Sequence, residues 1–161
     1  YRNVGIAYEL VVPANTRVTA QTGSGSQTIG SVDGPVTAQT GSGSIRIERA
    51  GGSLNAQTGS GDIEAESVGG EVRAQTGSGS VDIRQIVRAD VNVHTGSGSV
   101  RLSLPPDAAY TLDAQTGSGS ITTSQPVTVQ GRVRRNHVTG TVRGGGNTVR
   151  VRTGSGSIAI R

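Results

Sequence analysis

Apolar and polar residues alternate along most of this chain in short bursts, each closed by a cluster of glycine and serine. In residues 36–53, VTAQT leads into GSGS, IRIER follows, and AGGS ends the unit. Alternation puts Val36, Ala38 and Thr40 on one face and Thr37 and Gln39 on the other, which is the period of a half-buried strand. The pattern predicts strand, turn, strand, turn, and then it starts again.

AQTGSGS recurs letter for letter at residues 20–26, 38–44, 74–80 and 114–120. The threonine of each TGS falls at Thr22, Thr40, Thr58, Thr76, Thr95, Thr116 and Thr153, with spacings of 18, 18, 18, 19, 21 and 37. A fixed short period is the mark of a solenoid. The expected fold is all-β, a single-stranded parallel β-helix of about eight coils, with the eighth degenerate and hidden in the last gap. One domain spans residues 1–161: a first coil or cap over 1–19, regular coils over 20–123, the degenerate coil over 124–148 and a final regular coil over 149–161.

Stacking identical units turns each position into a column. Val18, Val36, Leu54, Val72, Val91, Leu112 and Val149 make one inward column, and Ala20, Ala38, Ala56, Ala74, Val93, Ala114 and Val151 make the next. Both are wholly apolar. On the return strand Ile45, Ile63, Val81, Val100, Ile121 and Ile158 align, beside Ile29, Ile47, Ala65, Ile83, Leu102 and Ile160, with Thr123 the exception. Branched side chains facing small ones imply a narrow interior, which accounts for three tyrosines and no Phe or Trp. Outside, Gln21, Gln39, Gln57, Gln75 and Gln115 would form an amide ladder on which His94 and Arg152 replace glutamine. Arg46 with Glu64, and Asp82 with Arg101, are expected to pair between adjacent coils.

The chemistry available is limited. Without cysteine there is no disulfide, thiolate metal site or thiol nucleophile. Calcium-binding rolls need repeated carboxylates, and at the corresponding corner position Asp62 stands alone. A phosphate loop would need a following helix and a lysine, and the chain contains no lysine. His94 reads as a solvated substitution on the ladder and His137 as part of a basic turn, RVRRNHVTG. Glu64 and Glu66 share an outward face with no cleft implied. The expectation is a protein that is not an enzyme and takes no cofactor or metal.

Three stretches, YELVVPANTRVTAQTGSGS, LPPDAAYTLDAQTGSGSI and VRVRTGSGSIAIR, occur in this order. On them the chain resembles a bacterial β-strand-repeat family grouped with adhesins, of unknown function. The resemblance implies an extracytoplasmic β-helix, often membrane-tethered or secreted, with no established catalysis. Such repeats often read GSGD, whereas here Ser26, Ser44, Ser80, Ser99, Ser120 and Ser157 hold that place and only Asp62 is acidic. Any acidic ladder is therefore lost. The expected location is outside the cytoplasm, secreted or at the cell surface, with a leader removed and no transmembrane segment in the chain itself.

Charge divides the chain. Residues 1–113 hold eight arginines and eleven acids, and residues 114–161 hold seven arginines and no acid. The basic set is Arg132, Arg134, Arg135, Arg143, Arg150, Arg152 and Arg161. Because a complete repeat ends the sequence at IAIR, its strand edges are expected to be exposed at one end of the rod. At the other end, Tyr1, Val4, Ile6 and Tyr8 would supply an apolar face. These features predict a structural or adhesive surface protein that self-associates head to tail into filaments. The alternative is a monomeric binding module whose arginine-rich third meets an anionic envelope polymer. Specific nucleic-acid binding is not expected, since no aromatic residues interleave the arginines.

Overall fold

The computed structural model describes residues 9–129 and 134–161. Six pairs of strands follow one another first: β1 (Val18–Thr22) and β2 (Gln27–Val32), β3 (Val36–Ser42) and β4 (Ile45–Ala50), β5 (Leu54–Ser60) and β6 (Ile63–Val68), β7 (Val72–Ser78) and β8 (Val81–Gln85), β9 (Val91–Ser97) and β10 (Val100–Ser103), β11 (Tyr110–Ser118) and β12 (Ile121–Thr123). Then come β13 (Thr128–Val129), β14 (His137–Val142), β15 (Asn147–Ser155) and β16 (Ile158–Ile160). The fold is all-β. Among the described residues no helix is long and apolar enough to cross a membrane.

The strands form two sheets. One has nine strands in the order β1-β3-β5-β7-β9-β15-β11-β14-β13, and the other has seven in the order β12-β16-β10-β8-β6-β4-β2. Coils stack parallel and in register, with Val18 beside Val36, Val36 beside Leu54 and Ile45 beside Ile63. The four aliphatic columns read from the sequence line the space between the sheets, where Ala38, Ile45, Ile47, Val93, Leu102 and Val151 are completely buried. Each fully buried Val, Leu or Ile contributes about 1.5–3 kcal/mol. The exposed ion pairs joining coils, Arg46–Glu64 at 2.6 Å and Arg101–Asp82 at 3.0 Å, contribute at most about 1 kcal/mol each. The columns hold the stack; the ion pairs adjust its register.

The order of coils departs from the order of the chain. β15 pairs with β9 on one side and β11 on the other, and β16 pairs with both β10 and β12. The final repeat is thus an inner coil, sixth of the seven described coils, contrary to the expectation that it exposes its edges at the end of the rod. Connection length permits the step. Three residues join β2 to β3, β4 to β5 and β6 to β7, five join β8 to β9, and six, Leu104–Ala109, join β10 to β11. Neighbouring coils lie about 4.8 Å apart, and an extended residue spans about 3.3 Å, so three more residues are ample for climbing two levels. That climb leaves an empty level, which β15 and β16 fill.

The stretch expected to hold a degenerate eighth coil does something else. β14 runs antiparallel to β11, with Ala114 opposite Val138, and β13 runs antiparallel to β14. Val127 and Val138 pack on the core there and close that end of the rod. At the opposite end Val18 and Ile29 are only partly buried, and Leu10 and Val11 are 84% and 94% exposed. Tyr1, Val4, Ile6 and Tyr8, expected to form the N-terminal interface, and Arg132 in the basic set lie outside the described residues.

Candidate functional site

The repeated corner is built from three unlike requirements. The first glycine of TGSGS stacks against its counterpart below: a Cβ on Gly41 would lie 2.4 Å from the Gly23 carbonyl oxygen. The second glycine adopts φ near +150°, as at Gly43 and Gly61, where a side chain is not accommodated. The threonine points inward, and its hydroxyl donates to the second glycine of the neighbouring coil: Thr58 to the Gly43 carbonyl at 2.9 Å, Thr76 to Gly61 at 3.0 Å, Thr95 to Gly79 at 3.0 Å. This strap makes a buried hydroxyl compatible with an apolar interior. Asp62 acts as serine does at that position, its Oδ1 accepting the Ser80 N–H at 2.7 Å. Its role is therefore structural.

Two outward positions on each strand differ greatly in height. Gln39 stands up from the sheet, and Gly41, two residues on, presents bare backbone. Repetition turns this contrast into an open groove of about 880 Å³ along the stacking axis, walled by Gln21, Gln39, Gln57, Gln75 and His94 and floored by glycines such as Gly59 and Gly77. The glutamine amides join end to end: Gln21 Nε2 donates to Gln39 Oε1 at 2.8 Å, and Gln39 Nε2 to Gln57 Oε1 at 3.4 Å. The groove has an ordered wall and a smooth floor.

Beyond His94 the character of this face changes. Because β15 is interpolated, the next side chain in the ladder column is Arg152, then Gln115, then His137. The adjoining outward column runs Asn92, Arg150, Asp113 and Thr139. Asp113 gathers partners from both sides, with the guanidinium groups of Arg150 (Nε at 3.3 Å) and Arg152 (Nη2 at 3.7 Å) on one and the His137 ring (Nε2 at 3.1 Å) on the other. Thr139 Oγ1 also meets His137 Nε2, at 3.0 Å. A catalytic relay needs the acid and the nucleophile on different ring nitrogens, so this Thr, His and Asp grouping is not one. Past it, the exposed turn holding Arg134 and Arg135 sits at the corner, tied by the Thr116 N–H to the Asn136 carbonyl at 2.9 Å. The groove axis, prolonged by two coils, meets that turn.

The basic residues expected to act together are therefore dispersed. Arg134 and Arg135 lie on the prolonged axis of the groove, two coils past its end, and Arg150 and Arg152 on the outer face beside Asp113. Arg143 lies in the connection past β14, at the opposite corner. Arg161 follows β16, its N–H bonded to the Leu102 carbonyl and its carbonyl accepting the Leu104 N–H. Arg150, Arg152 and Arg161 are not at a terminal edge, because both neighbouring levels are occupied. Sequence reading missed Asp113 as a hub, since Arg150 is distant in the chain; the signal was the spacing of 21 between Thr95 and Thr116. It also missed Tyr110, buried where the long connection enters the stack, with its hydroxyl lacking a partner among the described residues and its pKa raised by burial.

Comparison with known proteins bears on this architecture. The Toastrack DUF4097 family model matches residues 12–161. No curated protein matches the chain. A crystal structure of a "putative cell adhesion protein" from Clostridium sporogenes ATCC 15579 is similar over 78% of this chain, with 19% identity and a TM-score of 0.50. The chain spans 55% of the length of that structure, and the likeness is one of fold. The matched residues take in the regular coils, the long connection and the interpolated final repeat, and this chain belongs to the Toastrack DUF4097 family.

Proposed function

We propose that this chain is a non-catalytic adhesion module working outside the cytoplasm, whose contact surface is the amide-walled groove and the basic turn further along its axis. One observation carries the reading: the groove repeats the same glutamine amide over four successive coils, ends at His94, and its axis prolonged by two coils meets Arg134 and Arg135. Such a surface suits a long, hydroxyl-bearing polyanion lying along the rod, with uncharged portions in the groove and anionic groups at the turn. Adhesion agrees with the cell-adhesion description of the similar Clostridium sporogenes protein. Head-to-tail filament growth finds less support, because the nine-stranded sheet ends on an antiparallel hairpin rather than a parallel coil.

The test is co-sedimentation with purified bacterial cell-wall sacculi, before and after their phosphate polymers are stripped with hydrofluoric acid. Binding should be salt-sensitive and fall at least tenfold on stripping and in the Arg134→Ala/Arg135→Ala variant. Gln39→Ala/Gln57→Ala/Gln75→Ala should weaken it severalfold without altering the fold. Equal binding to both kinds of sacculi, or binding unaffected by either set of substitutions, overturns the reading.

A further inference from the structure

We infer that the C-terminal coil, residues 147–161, exchanges between two copies of this chain. The level it fills is a slot between two other coils. One wall is β9 and β10 and the other is β11 and β12, and the coil forms in-register parallel pairs with all four. Nothing in those pairings depends on which chain supplies the coil. A second copy carries the same segment with the same register, so reciprocal exchange restores every buried contact of Val149, Val151, Ile158 and Ile160.

The slot selects this coil among the similar repeats. Asp113 on one wall meets Arg150 and Arg152, and Asp90 accepts the Thr148 N–H at 2.8 Å. The second coil, by contrast, would place Thr37 and Gln39 where the arginines stand. Its aliphatic columns would fit, but Asp113 would lose both guanidinium partners.

The connection favours opening. Val142 of β14 and Asn147 of β15 are both in register with Tyr110, on opposite edges of β11, so residues 143–146 vault across that strand. Three successive residues there have left-handed backbones: Arg143 at φ 52°, Gly144 at 85° and Gly145 at 84°. For arginine that conformation is unfavourable, and a short connection under strain promotes exchange, since an extended hinge relieves it in both partners.

The chain contains no cysteine, so a reporter pair is clean. Arg101 of β10 and Ala159 of β16 are in-register neighbours on the outer face, and adjacent strands lie within disulfide reach. The full chain carrying Arg101→Cys and Ala159→Cys is warmed near its melting midpoint at several concentrations, cooled, oxidised and separated without reductant, with light scattering on the same samples. The expected result is a covalent dimer whose share rises with concentration during warming. Adding Arg143→Gly, which relaxes the closed hinge, should lower that share about fivefold. Adding Gly144→Pro, which cannot adopt the closed φ, should raise it. Disulfides confined to single chains at every concentration, in the parent pair and with Gly144→Pro alike, overturn the inference. So does a dimer share that Arg143→Gly leaves unchanged.

Discussion

The coils from β3 to β10 and the two coils that follow share a cross-section, a corner and a set of aliphatic columns. They differ in how the chain reaches them. In the first group each coil lies on its predecessor in sequence, and most connections are three residues long. In the second the chain climbs two levels, turns back through an antiparallel hairpin and fills the gap last. Repetition specifies the shape of a coil, whereas the connections between coils specify its place in the stack. The same corner serves in both settings because its demands are met by whichever coil lies next to it.

The largest effect should come from removing the difference. Deleting Pro105–Asp107 shortens the long connection to the length used elsewhere and should bring β11 directly onto β9. The C-terminal coil would then lose its slot, and amide exchange at Val149 and Val151 should approach that of an unstructured peptide. Retained protection would show that something other than the connection sets coil order. Next come the corners themselves. Gly61→Ala and Gly156→Ala each force a side chain into φ of +150° or +140°, within 2.2 Å of a neighbouring glycine carbonyl oxygen. Each should cost about 3 kcal/mol or more in denaturant unfolding. Gly25→Ala, whose nearest obstacle is Thr22 Oγ1 at 3.4 Å, should cost under about 1 kcal/mol.

Smaller changes sharpen the comparison. Thr76→Val and Thr153→Val each remove a hydroxyl strap, at 3.0 Å to the Gly61 carbonyl and 2.9 Å to Gly98. Both should cost about 1–2 kcal/mol, and nearly equal values would show that the interpolated coil is held as firmly as the others. Tyr110→Phe deletes a buried hydroxyl that has no partner among the described residues. Thermal unfolding should show stability unchanged or higher by about 1 kcal/mol. The least effect concerns the long connection, where a hydrogen bond from Arg88, Asp107's own backbone and the nearby charges hold the Asp107 carboxyl below its usual 3.8. A depressed carboxylate contributes stability above its unfolded pKa and loses it as pH falls through the lowered value. Carboxyl NMR titration should show the low midpoint and its return toward the usual value in Arg88→Gln.

Much of this was legible in the sequence, for a physical reason. Columns such as Val36, Leu54 and Val72 depend only on a period that stacking converts into contact, so strand, corner and interior follow from the letters. The Arg46–Glu64 and Asp82–Arg101 pairs were readable because consecutive coils are neighbours there. The Arg150–Asp113 contact was not, because it depends on which coils become neighbours, a choice made by the connection after Ser103. The groove was half visible: the glutamine ladder stands in the sequence, but the trough exists only because Gly41 and its equivalents lie beside that ladder on the same face. The turn at Arg134 and Arg135 was read as belonging to a coil because antiparallel pairing carries no mark in the repeat.

The position of β16 between β10 and β12 has a mechanical consequence. A pull on Arg161 does not act on an end coil, where hydrogen bonds could break in succession. It loads two strand interfaces at once and along their length, while the glycine corners brace the coil against tilting. An attachment made at that residue would transmit tension into the middle of the rod and spread it toward both ends.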